Sequence, residues 1–148
     1  MTDAAKPPVL VTVQHNFPVV SERVFDAWLD PAMIGTWMMG RGVRDEDLLH
    51  AKIDARVGGR FSFLVRRQGQ EIDHIGTYLE IDRPRRLVFT WGTVQDGATS
   101  RVIIDIAATP GGCALTLTHE MDAAWAPMQD RIRDSWAKML GSLGTALA

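Results

Sequence analysis

The sequence predicts an α+β fold: one antiparallel sheet of seven strands, a long C-terminal helix, and two short helices after the first strand. Three observations lead there. Between Leu49 and His119, β-branched and aromatic residues alternate with polar ones, and turn signals recur at short intervals. From Pro127 to Leu147, large apolar residues return at steps of three and four. Between Ser21 and Trp37, two brief helical patterns meet at Asp30-Pro31.

Residues 1–8 (MTDAAKPP) have no apolar period and are expected to form a flexible tail, with a single domain over residues 9–148. The β-branched run from Val9 to His15 predicts the first strand, closed by Asn16 to Pro18. Ser21 is the expected N-cap of the first helix, with Glu22 favourable in its first turn and Val24, Phe25, Trp28 and Leu29 at helical spacing. Asp30 then supplies a cap and Pro31 a first helical position, so a second helix should run through Ile34 to Trp37. Residues 38–48 mix glycine and charge without a period and read as a mobile loop.

Five turn signals divide the stretch from Leu49 onward into strands near residues 50–56, 60–67, 71–81, 86–93, 99–108 and 113–120. Alternation assigns Phe61, Phe63 and Val65 to one face, with Leu87, Phe89 and Trp91, Val102, Ile104 and Ile106, and Leu115, Leu117 and His119 on the same inner side. Gly76 inside a strand suggests a bulge or kink. Ile75, Thr77, Leu79 and Ile81 form one set in that strand, with His74 and Tyr78 on the other side, and a bulge at Gly76 leaves open which set points inward. In the last helix, Met128, Ile132, Trp136, Met139, Leu140, Leu143 and Leu147 form an apolar stripe, weakened locally by Gly141 and Gly144.

The 148 residues carry 16 Lys+Arg against 18 Asp+Glu, a formal charge of −2, and 46% are hydrophobic. That suits one soluble domain able to bury its own core. No apolar run is long enough for a membrane span or signal segment, so no membrane insertion and a cytoplasmic location are expected. The slightly acidic, evenly spread charge lacks the basic excess of a nucleic-acid binder. The arginines at 66–67 and at 83, 85 and 86 fall at predicted turns, where charge is solvated.

His15, His50, His74 and His119 are scattered and no cysteine pair accompanies them, so no metal is expected. Cys113 cannot bridge internally and reads as a buried spectator, and no serine sits in a nucleophile elbow. No catalytic residue and no cofactor are assigned. His119 is the most interesting ionisable group: it points inward as a ligand contact, or as a core histidine bonded to a carbonyl or to the helix. Trp37, Trp91 and Trp136 make either an aromatic wall or core packing. Trp37, Met38 and Met39 suit a cavity mouth or a partner-docking surface.

The order strand, two helices, six-stranded meander and long helix is that of the helix-grip fold, in which a curved sheet wraps around the last helix. RVFDAWLDPAMIGTWM (23–38), ARVGGRFSF (55–63), GTYLEIDRPRRLVFTW (76–91), CALTLTHEM (113–121) and SWAKMLGSL (135–143) resemble the START-like superfamily, known also as SRPBCC. Within it they look most like bacterial proteins similar to the activator of the heat-shock protein 90 ATPase. The resemblance implies an apolar cavity between sheet and last helix for a small hydrophobic molecule. The residues expected to contact it are Trp37, Met38, Phe63, Tyr78, Phe89, Trp91, His119, Trp136 and Met139. A binding module is thus the expected function. The alternatives are an enzyme of the cyclase, dehydratase or hydrolase type on an aromatic or polyketide-like substrate, and an accessory protein for a chaperone or regulator. The first strand is an edge through which a homodimer can form.

Overall fold

The computed structural model describes residues 7–148. The expected tail therefore lies, over residues 1–6, outside the described residues. The element order is β1 (Val9–Phe17), α1 (Ser21–Asp26), α2 (Pro31–Trp37), β2 (Asp47–Ile53), β3 (Arg60–Arg67), β4 (Gln70–Asp82), β5 (Arg86–Thr93), β6 (Gly97–Thr109), β7 (Gly112–Met121), a 3-10 helix (Ala123–Met128) and α3 (Gln129–Leu147). The seven strands form one curved antiparallel sheet in the order β1-β7-β6-β5-β4-β3-β2. The first two strands thus occupy opposite edges, and α1 and α2 carry the chain between them.

The short helices form for partly different reasons than expected. Asp30 caps α2 by accepting the Ala32 N–H at 3.0 Å, and Pro31 opens the helix. Ser21 does not cap α1; it is the first helical residue and is buried, while Val20 holds the cap position without a side-chain bond. The segment expected as a mobile loop is packed: Met38, Met39 and Val43 are buried, and the Gly40 N–H donates to the Glu46 carboxylate at 2.9 Å. Strand β2 begins at Asp47, inside that segment.

Strand β4 resolves the two open sets. Its register with β5 shifts between Tyr78 and Glu80, so the extra residue is Leu79 rather than Gly76. His74, Gly76 and Tyr78 therefore face inward ahead of the bulge, and Leu79 is exposed. Gly76 pairs in continuous register with Phe61. Its glycine is needed for close approach instead: a Cβ there would lie 1.9 Å from the Thr90 carbonyl oxygen and 2.4 Å from the Phe61 ring.

Helix α3 lies across the inner face. Its stripe buries Trp136, Met139, Leu140, Leu143 and Leu147, whereas Met128 and Pro127 belong to the preceding 3-10 helix. Near its C-terminal end α3 closes tightly on β1: a Cβ on Gly144 would stand 3.3 Å from His15 Nε2. No helix among the described residues is long and apolar enough to cross a membrane.

Candidate functional site

The space between sheet and helix divides into two regions. Toward α1 and α2 it is filled by aromatic rings. Trp28 and Trp37 meet edge to face at 4.6 Å between centroids, Phe61 and Phe63 stack at 4.8 Å, and Tyr78 and Phe89 close around Phe61. Only a void of about 10 Å³ remains there, room for no more than a water.

At the other end, beside the first half of α3, a recess of about 600 Å³ opens. Its apolar walls come from Trp91 on β5, Trp125 and Met128 of the 3-10 helix, and Ile132, Trp136 and Met139 of α3. Its polar lining includes Arg44, Arg67, His74, Ser100, His119 and Arg131. Small-molecule sites span about 300–1,000 Å³ and combine such walls with a few convergent polar groups.

The predicted contact residues are thus separated. Trp91, His119, Trp136 and Met139 line the recess. Met38, Phe63, Tyr78 and Phe89 border only the small void. Trp37 touches neither; it is fully buried, and its indole N–H donates to the Ala27 carbonyl at 3.1 Å. Of the residues expected at a cavity mouth, Met39 alone reaches the recess.

His119 is tied to the helix by a chain of hydrogen bonds whose direction is forced. The Trp136 indole can only donate, and it does so to His119 Nδ1 at 3.0 Å. The imidazole is therefore neutral with its hydrogen on Nε2, which donates to Ser100 Oγ at 2.8 Å. The Ser100 hydroxyl is in turn directed to the Trp91 carbonyl at 2.6 Å. Burial lowers the His119 pKa from 6.5 to about 4. Both ring nitrogens are committed, and Glu120 points to the outer face, where it meets Arg101. His119 is consequently an orienting group with no lone pair free for proton abstraction. His74 is different: burial holds its pKa down, Nδ1–H donates to the Phe63 carbonyl at 3.2 Å, and Nε2 is left as an acceptor.

Arg67 corrects the expectation that the paired arginines are merely solvated. Its Nε and Nη2 donate to Oε1 of Glu46 at 3.0 and 2.6 Å, and Arg44 Nη1 donates to Oε2 at 3.0 Å. The Glu46 side chain is fully buried. Burial pushes its carboxyl up, but the Gly40 N–H and the two guanidiniums outweigh this and hold it below the usual carboxylate range. Arg66, Arg83, Arg85 and Arg86 do behave as expected, pairing at the surface with Glu71, Asp26, Asp82 and Glu80 with Asp105.

Two other polar features have structural readings. On the outer face, His50 Nε2 lies 2.8 Å from Ser62 Oγ, whose hydroxyl donates to Asp73 at 2.6 Å. With the hydroxyl proton on the carboxylate side, the imidazole is not placed as a base toward the serine, and the trio staples β2, β3 and β4. Burial pushes the Cys113 thiol up, away from the thiolate a nucleophile needs. Among the described residues, no three His, Cys, Asp or Glu side chains converge as a metal site would.

Arg44, Glu46, Arg67, Ser100, Trp125 and Arg131 are the site residues that sequence reasoning missed. Ser100 carried a usable signal, because it shares the face of Val102, Ile104 and Ile106. Glu46 and Arg67 carried none, being 21 residues apart.

Comparison with known proteins places this architecture. A family model described as Activator of Hsp90 ATPase homolog 1-like protein matches residues 18–148. No curated protein matches the sequence. Among solved structures, a protein from Rhodobacter sphaeroides superposes with a TM-score of 0.81 at 16% identity, covering 97% of this chain and 96% of that one. One from Nitrosomonas europaea gives 0.80 at 15% identity, covering 94% of each chain. An AHSA1-like protein from Aeromonas hydrophila gives 0.76 at 24% identity, covering 93% and 90%. At these identities the structures establish a shared fold.

Proposed function

The chain belongs to the Activator of Hsp90 ATPase homolog 1-like family, and on that footing we propose that it is a binding protein for a small, largely apolar molecule held between sheet and helix. The observation that carries this reading is the recess of about 600 Å³ beside the first half of α3, walled by Trp91, Trp125, Trp136 and Met139. Affinity would come from desolvated apolar surface, at about 25 cal/mol per Å² before the costs of ordering. Orientation would come from the arginines, from His74 Nε2 and from the rigid chain through His119 and Ser100. The reading includes no catalytic step, since the hydrogen bonds of His119 and Ser100 are already committed.

Native mass spectrometry of protein purified from its own host, paired with displacement of an apolar dye, tests the proposal. A co-purifying molecule displaced by the dye supports it. A protein that excludes every apolar probe overturns it.

A further inference from the structure

We infer that the recess selects amphipathic carboxylic acids, with the apolar body against the indoles and the carboxylate received by Arg44, Arg67 and Arg131. This rests on the binding role proposed above and adds the class of ligand. Each guanidinium offers five N–H donors. Arg44 spends Nη1 on Glu46 and on the Met38 carbonyl, leaving Nε and Nη2 without partners among the described residues. Arg67 spends Nε and Nη2 on Glu46 and keeps Nη1. Arg131 makes no ion pair among the described residues.

The carboxylates in and beside the recess do not balance these charges. Glu46 is committed at both oxygens, to Arg67 through one and to Arg44 and the Gly40 N–H through the other. Asp96 sits at the β5–β6 turn and accepts from the Thr93 hydroxyl at 3.2 Å. The two histidines of the lining are held neutral and add no charge of their own. What remains is one recess whose lining carries three guanidiniums, from the loop before β2, the end of β3 and the start of α3, together with three indoles.

That combination discriminates among ligands. A neutral apolar guest would strip water from the guanidinium N–H groups left free by Glu46 and give nothing back, the cost of burying polar donors without partners. A small inorganic anion would leave the indole walls wet. A carboxylate on an apolar body satisfies both kinds of lining, because the planar fork of arginine matches it in two-point contact. The body can be a flexible alkyl chain or a fused aromatic ring, since both sources share the head group.

Isothermal titration calorimetry with four probes separates the possibilities: dodecanoate and 2-naphthoate, and the uncharged dodecanol and 2-naphthylmethanol. The acids should bind at least about tenfold more tightly than their alcohols, with the advantage shrinking as salt is raised. In the R44Q/R131Q double variant the advantage should fall to about threefold or less. Circular dichroism and a cooperative thermal melt check independently that the double variant is folded. The stronger acid identifies the alkyl or aromatic source. Equal binding of acids and alcohols overturns the inference but leaves the binding role standing, as does an advantage that survives in the double variant. Binding of none of the four overturns both.

Discussion

Replacing His119 with glutamine should make the protein less sensitive to acid, and the size of the effect can be worked from the site. The folded imidazole has a pKa of about 4 against 6.5 when unhindered, because it is buried and its Nδ1 already accepts the Trp136 N–H. The unfolded chain therefore binds a proton across this window and the folded chain does not, so stability is complete above the upper value and falls as pH drops toward the lower one. Linkage over that interval gives a loss of about 2.5 kcal/mol between about pH 7.5 and about pH 4.5 from this residue alone. Glutamine removes the titration while keeping an acceptor for Trp136 and a donor for Ser100. Urea unfolding of both proteins at the two pH values is the assay. Other groups contribute equally to each, so the wild type should lose about 2.5 kcal/mol more than H119Q. Equal losses would refute a buried, neutral His119.

Other substitutions probe separate parts of the molecule. Trp136→Phe keeps a ring but leaves Nδ1 of His119 unpaired, and should cost about 1–2 kcal/mol, against about 3–5 kcal/mol for Trp136→Ala; thermal unfolding measures both, and a shift under about two degrees for alanine would contradict the packing. Gly76→Ala should destabilise by about 2–3 kcal/mol or more because of the Thr90 and Phe61 contacts, whereas Gly141→Ala, whose Cβ would meet nothing within 4 Å, should stabilise by about 0.5–1 kcal/mol in the same denaturation series. Glu46→Gln should cost about 1–3 kcal/mol at neutral pH. Because the folded carboxyl titrates below its unfolded value of 4.5, that difference should persist down to the unfolded range and vanish as pH falls through the folded one, which a pH series of melts would reveal.

The strand faces were legible because their period is local. Phe61, Phe63 and Val65, or Leu115, Leu117 and His119, need only alternate to declare a common side, and the structure buries all six. The cap at Asp30-Pro31 and the stripe of α3 were legible for the same reason. Gly76 misleads because glycine in a strand marks either a bulge or a close approach, and the sequence does not show the Phe61 ring that decides between them. The bulge at Leu79 has no compositional mark. Alternation also aims Phe63, Phe89 and Trp91 inward alike, yet only Trp91 reaches the recess, since where along the sheet the helix leaves space depends on tertiary packing. The Arg44–Glu46–Arg67 cluster joins a loop to the end of β3, a pairing no local pattern encodes.

The five tryptophans offer the most direct measurement. Each indole N–H gives its own cross-peak in a proton–nitrogen correlation spectrum, assignable by single Trp→Phe variants. Titration with 2-naphthoate should move the peaks of Trp91, Trp125 and Trp136, which wall the recess, and leave that of Trp37, sealed against the Ala27 carbonyl, in place. A spectrum in which Trp37 responds while Trp91 and Trp136 stay still would mean that the guest binds elsewhere.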